Sequence, residues 1–140
     1  MSKFDHLKKA LSPLVLKASA VLVLNENFKI TVLNLNTANQ AYNAAVAEYM
    51  KGRPALPENF FERLWKQEYF PQGVEFVANV LMLDWVLLSE DDTPEPFSPE
   101  EAIELMSDDR FGPSIYTRVV QFSINSAMFK DDWEKQITKN

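Results

Sequence analysis

The residues that could carry out chemistry in this sequence are few, and their spacing matches no catalytic motif. His6 is the only histidine, and the chain contains no cysteine. Disulfides, thiolate metal sites and cysteine nucleophiles are therefore excluded, and neither a Ser-His-Asp triad nor a histidine metal site can be assembled. Gly52, Gly73 and Gly112 lie too far apart to form a phosphate-binding loop.

Acidic side chains cluster at residues 90–92, 108–109 and 131–132. Neighbouring carboxylates can bind a hard cation such as Ca²⁺, but none of these clusters has the spacing of a calcium-binding loop. Asp84 stands alone inside an apolar run, where a buried carboxyl could act as an acid or a base, and no second catalytic side chain accompanies it. We therefore predict a protein that is not an enzyme and that uses neither a cofactor nor a metal.

Charge is distributed unevenly along the chain. Residues 1–70 carry 9 basic and 6 acidic side chains, whereas residues 71–140 carry 5 basic and 14 acidic ones. The net charge of −6 argues against a nucleic-acid partner, because phosphate binding needs a basic surface. The asymmetry either favours head-to-tail association between unlike surfaces or only maintains solubility.

The length of 140 residues fits one domain with its own apolar core. The first 13 residues are charged and end at Pro13, unlike a signal peptide. The longest apolar run, residues 74–88, is shorter than the roughly 20 residues that span a bilayer. We therefore expect a single domain over residues 1–140, a reducing cytoplasm and no membrane partner.

Local patterns predict a mainly α fold of the α+β class. Residues 1–35 are expected to contain a short helix over 2–11 and a β-hairpin over 20–24 and 28–33, where apolar residues alternate around an Asn-Glu-Asn turn. A lone hairpin is only marginally stable in water. It must therefore pack on helices or pair with another chain.

About five helices are predicted over residues 36–140. Thr37 and Gln40 match a capping box for a helix that ends near Gly52. Pro57 fits the first position of the next helix. The apolar face of that helix consists of Phe60, Phe61, Leu64, Trp65 and Tyr69. The run 74–88 is apolar on nearly all sides and predicts a central helix, with a strand over part of it as the alternative.

The last two helices are defined by a second capping box and a long apolar stripe. The sequence Ser98-Pro99-Glu100-Glu101 predicts a helix start with proline at its first position. The final helix is predicted from Ser114 to about Thr138. Its stripe advances in steps of four and three residues and consists of Ile115, Val119, Phe122, Ser126, Phe129 and Trp133. The stripe fits core packing or partner binding, and Phe129 and Trp133 near its end are the candidate partner-binding residues.

One segment resembles a known protein family. Asp84-Trp85, the acidic loop after it and the sequence Thr93-Pro94-Glu95-Pro96-Phe97-Ser98-Pro99-Glu100-Glu101 resemble the tail assembly chaperones of long-tailed bacteriophages. In that family an apolar helix that ends in a Trp element is often followed by an acidic turn with the pattern G-x-P-x-P-F-S, by a capped helix and by a final helix. The resemblance covers about residues 76–129. Asp92-Thr93 stands where glycine is common in the family, so we expect a different turn geometry.

The resemblance implies a binding role without catalysis. Such chaperones bind the tape measure protein, a long, apolar and helical chain, and keep it soluble until the tail tube protein polymerises around it. They self-associate and often occur in two forms through ribosomal frameshifting, and this chain would be the short form. The implied location is the host cytoplasm and not the mature virion. We interpret the matching residues as a structural corner that consists of Asp84, Trp85, Pro96, Phe97, Ser98 and Glu101.

Two other functions also fit these residues. The protein could be a head–tail connector or minor tail protein that stays in the virion. It could also be an acidic adaptor that binds a basic host protein.

Overall fold

The computed structural model describes residues 17–130. Three strands form one antiparallel sheet in the order β1-β2-β3: β1 (Ser19–Asn25), β2 (Phe28–Leu33) and β3 (Met82–Leu87). Within residues 17–130 there are five α-helices: α1 (Gln40–Met50), α2 (Phe60–Trp65), α3 (Pro71–Phe76), α4 (Pro99–Met106) and α5 (Gly112–Ile124). The predicted α+β class is confirmed. The helix predicted over residues 2–11 lies outside the described residues.

The β-hairpin is found where alternation of apolar residues predicts it. β1 and β2 pair antiparallel, with Leu22 opposite Ile30. At the turn, the backbone N–H of Asn27 donates to the Asn25 side chain over 2.7 Å, as Asn commonly does in tight turns. In β2 the residues Phe28, Ile30 and Val32 are buried on one face of the sheet, and this face forms one wall of the core.

The prediction of one central helix over residues 74–88 is wrong, and the alternative of a strand over part of this run is confirmed. α3 continues as a π-helical turn over Val77–Leu81, and the chain then becomes β3, which pairs with the free edge of β2. A uniformly apolar run does not distinguish a buried helix from a buried strand, so the available pairing partner decides. A bulge opposite Thr31 and Val32 inserts Leu83, which is why Leu83 and Asp84 are both exposed.

The core lies between the inner face of the sheet and the helices. The π-helical turn crosses its centre, and α5 packs against this turn with Tyr116, Val119 and Val120 fully buried. The Phe60 ring forms edge-to-face contacts with Phe70 and Phe76, with ring centroids 5.5 and 5.2 Å apart. The short helices α2 and α3 are thereby held together by aromatic packing.

Two predicted helix starts are corrected by the structure. The N-cap of α1 is Asn39 and not Thr37, because the Asn39 side chain accepts from the Ala41 N–H and also donates to the Asn34 carbonyl over 2.8 Å. α2 begins at Phe60, three residues after Pro57. Proline occupies the first turn of α3 instead, at Pro71.

The last helix is shorter than predicted. α5 begins at Gly112 and ends at Ile124 instead of running from Ser114 to about Thr138. The side chain of Asn125 accepts from the Ala127 N–H over 3.1 Å and caps a 3₁₀ turn, Ser126–Phe129. Asn favours such local side-chain-to-backbone bonds over a continued helix, so the chain turns back and buries Phe129 instead of projecting into solvent.

Candidate functional site

The predicted corner is organised around Trp85 at the end of the sheet. Its ring is almost fully buried and makes edge-to-face contacts with Phe28 and Phe97, with centroids 5.8 and 5.1 Å apart. Its indole N–H donates to the carbonyl of Glu95 over 2.8 Å. Trp85 therefore fastens β3 to the segment that leads into α4.

The acidic loop between Trp85 and α4 folds back along β3. Leu88 pairs with Pro94 in an antiparallel bridge, and the Glu95 N–H donates to the Leu87 carbonyl over 2.8 Å. Asp92 has a φ of 61°, the left-handed conformation that glycine adopts most easily. Asp92 thus adopts a conformation that glycine favours, and the expected difference from the turn geometry of the family stays a prediction.

The remaining corner residues differ in exposure. The Ser98 hydroxyl accepts from the Glu101 N–H over 3.1 Å and caps α4, as the capping box predicts. Asp84, Pro96 and the Glu101 side chain are exposed. Asp84 accepts from the Trp85 N–H over 2.8 Å on the outer face of the sheet, so the expectation of a carboxyl enclosed by apolar residues is wrong. The corner therefore contributes to the stability of the fold.

Of the two residues proposed to contact a partner, only Phe129 lies in the described part of the chain. Phe129 is fully buried and packs edge-to-face against Phe122, with centroids 5.4 Å apart. The expectation that Phe129 overhangs the core is therefore wrong. Trp133 lies outside the described residues.

A groove between α1, α2 and the end of α5 is the best candidate binding site. Tyr42 and Val46 lie one turn apart on α1, and Phe61 and Trp65 lie one turn apart on α2, so each helix presents two side chains on one face. We call this groove, of about 550 Å³, the aromatic groove. Its apolar lining consists of Leu35, Tyr42, Val46, Phe61, Trp65 and Ile124, and its polar rim of Asn36, Thr37, Asn43 and Ser126.

The walls of the aromatic groove are fixed to the core by backbone hydrogen bonds and ring contacts. The Leu35 N–H donates to the Ser123 carbonyl over 2.9 Å, which joins the end of β2 to α5. On α2, the Phe61 ring packs edge-to-face against Phe60 and Phe76, with centroids 5.1 and 5.8 Å apart. The groove is therefore formed before any partner binds.

Two aromatic side chains of the groove remain accessible. Phe61 is 40% exposed and Trp65 is 51% exposed. Exposed aromatic side chains beside a concave apolar surface are typical of protein-binding sites, where Trp and Tyr supply much of the binding energy. Burial raises the pKa of Tyr42 on the opposite wall, so this phenol stays neutral near pH 7. The groove is suited to an apolar segment of a partner.

A second groove, of about 390 Å³, lies between α3 and α4 and is more polar. Its lining includes the ion pair between Arg53 and Glu75 and the first turn of α4 at Glu100. An exposed ion pair contributes little binding energy because water and salt screen it. The aromatic groove is the stronger candidate for this reason.

The sequence pattern grouped Phe61 and Trp65 with the buried face of their helix, whereas the structure leaves them open. α2 is six residues long, so one helical face cannot cover five apolar side chains. Only Phe60 and Leu64 on α2 are buried.

Within residues 17–130, no three His, Cys, Asp or Glu side chains are grouped so that they could hold a metal ion. None of the helices in this part of the chain is long and apolar enough to cross a membrane.

A protein-family model matches most of the chain. No curated protein and no solved structure matches the chain. The family model described as YdaY prophage protein matches residues 33–140, which include all of the aromatic groove and the corner. The chain therefore belongs to the YdaY prophage protein family and is of phage origin.

Proposed function

We propose that this protein is a phage tail assembly chaperone that binds the tape measure protein through the aromatic groove. The observation that carries the proposal is the pair of half-exposed rings, Phe61 and Trp65, beside a preformed apolar groove. A long, apolar and helical client offers many segments that fit such a surface, as in other helix-in-groove complexes. The phage origin of the family and the resemblance around Trp85 support the same role.

A chaperone of this kind must bind its client reversibly. Apolar contact contributes about 25 cal/mol per Å² removed from water, so a groove of this size supplies modest affinity for each copy. Many copies along a long client would keep it soluble, and the tail tube protein could displace them one at a time. The excess of acidic side chains would keep the coated client in solution.

Self-association is the second part of the proposal. No charged residue or proline interrupts β1, and its outward-facing Val21 and Val23 are more than half exposed. The loop through Pro94 covers part of the opposite edge of the sheet, at the end of β3. An uncharged, exposed edge strand is a template for pairing with another chain, so we propose that copies associate through β1.

The test is co-expression of the tape measure protein from the same phage with four forms of this protein: wild type, Phe61→Glu, Trp65→Glu and Phe111→Glu. Phe111 is the matched control, since it is 37% exposed and lies at the opposite end of α5, about 20 Å from Ile124. We expect wild type and Phe111→Glu to keep the client soluble and the two groove variants to fail. Circular dichroism would check that each variant is folded.

Each other outcome has a defined meaning. Equal insolubility of the client with all four forms would refute the chaperone function. Rescue by all four would retain the function and remove the groove from it. Recovery of the protein from mature virions would favour a connector or minor tail protein instead.

A further inference from the structure

The described chain ends beside the polar rim of the aromatic groove. The carbonyl of Phe129 accepts from the N–H of Lys17 over 2.6 Å. The next residue, Ala18, accepts from the Asn34 N–H over 2.8 Å. Asn36, which follows Asn34 by two residues, belongs to the rim of the groove. Residues 131–140, which we call the C-terminal segment, therefore start close to the groove.

The length of this segment allows its aromatic residue to enter the groove. Ser126 lines the groove, and Trp133 follows seven residues later in the sequence. Ser126 and Phe129 belong to one 3₁₀ turn and lie about 6 Å apart along it, and the four residues from Phe129 to Trp133 span up to about 13 Å, so Trp133 can reach the groove beside Ser126. No unfolding of the described elements is needed for contact.

The chemistry of the segment fits the groove. Trp133 and Ile137 are its apolar residues, and Trp is the side chain most enriched at binding hot spots. Asp131 and Asp132 precede the Trp, and the rim carries side-chain hydrogen-bond donors at Asn36 and Thr37 that carboxylates can accept from. The rim residues are uncharged, so the acidic residues meet no like charge there.

We propose that Trp133 docks in the aromatic groove of its own chain, so that the C-terminal segment competes with partners for that groove. The competition with a client rests on the proposed function, whereas the docking does not. Docking would shield the exposed rings of Phe61 and Trp65 until a client with more apolar surface displaces the segment. The partner-binding role first assigned to Trp133 thus becomes a regulatory one.

Disulfide cross-linking in the full chain tests the docking, and the absence of native cysteines makes the background clean. The test pair is Thr37→Cys with Glu134→Cys, which leaves Trp133 in place. The control pair is Glu100→Cys with Glu134→Cys, because Glu100 lines the other groove. Docking raises the local concentration of one thiol near the other, so we expect the test pair to cross-link about tenfold faster within one chain.

A third form adds Trp133→Ser to the test pair and should lower its rate to that of the control. Equal rates for the two pairs would overturn the proposal, and so would a rate that Trp133→Ser leaves unchanged. Cross-links that form only between chains would also overturn it, because they would place the segment in the groove of a second copy. A failed co-expression test would leave these rates unaffected, so the two proposals can fail separately.

Competition is measured with the apolar dye anilinonaphthalene sulfonate as the probe. If the segment fills the groove nine-tenths of the time, the apparent Kd of the dye is raised about tenfold. We expect Trp133→Ser to bind the dye correspondingly more tightly than wild type, and Trp65→Glu with Trp133→Ser to lose that gain. An unchanged dye affinity in Trp133→Ser would contradict competition for the groove.

Discussion

Replacement of Trp85 by alanine tests the energetic importance of the corner. The Trp85 side chain is 8% exposed, packs between Phe28 and Phe97, and donates to the Glu95 carbonyl. The change removes the ring that joins the sheet to the loop before α4. It should therefore lower the free energy of unfolding and loosen that loop.

The magnitude follows from the buried area. A Trp side chain buries up to about 250 Å², and at about 25 cal/mol per Å² this amounts to about 6 kcal/mol, an upper value because the unfolded chain already covers part of that area. The lost hydrogen bond adds little, since the Glu95 carbonyl lies in an exposed segment and can bind water instead. We expect Trp85→Ala to cost about 4 kcal/mol, within the range for buried aromatic residues.

Urea denaturation measures this cost, and Trp65→Ala is the matched control. The control makes the same chemical change at a ring that is 51% exposed, so it should cost about 1 kcal/mol or less. With an m value of about 2 kcal/mol per M, Trp85→Ala should lower the midpoint by about 2 M. Similar midpoints for the two variants would refute the argument from burial.

Four further predictions concern single side chains. Ser98→Ala removes the cap of α4 and should lower the free energy of unfolding by about 1 kcal/mol in urea; no change would show that the cap is dispensable. Asp92→Gly relieves a positive φ and should raise the free energy of unfolding by up to about 1 kcal/mol in a thermal melt. A lower free energy of unfolding would instead assign the Asp92 side chain a structural role. Tyr116→Phe removes a buried hydroxyl without a hydrogen-bond partner in the described structure and should stabilise the fold by about 1 kcal/mol. Burial raises the pKa of Tyr116, so the free energy of unfolding of the wild type should be constant below the ordinary tyrosine pKa of about 10 and should fall above it. The fall should be smaller in Tyr116→Phe. Identical pH profiles for the two proteins would contradict this. Val23→Lys should weaken self-association in light scattering. Association of the wild type should depend little on salt, since β1 is uncharged. A wild type that stays monomeric at high concentration would remove self-association from the proposal.

Local sequence patterns were sufficient to predict the elements that neighbouring residues in the sequence determine. The hairpin follows from alternating apolar residues around an Asn-Glu-Asn turn, and the start of α4 follows from the Ser98 cap. The burial of Trp85 was also indicated by its place in an apolar run. The phage origin that the family model supports was also indicated by the consecutive residues around the corner.

The tertiary structure decided the features that depend on a distant partner. Residues 82–87 become a strand because β2 offers a free edge. The pattern of an almost entirely apolar run does not indicate whether such a pairing partner is available. Phe129 is buried because Asn125 ends α5 and turns the chain back onto Phe122. The aromatic groove exists because two short helices and the end of α5 meet around Phe61 and Trp65, which share an apolar pattern with buried neighbours. The sequence records which side chains are apolar, whereas only packing between distant elements determines which of them are left without a partner.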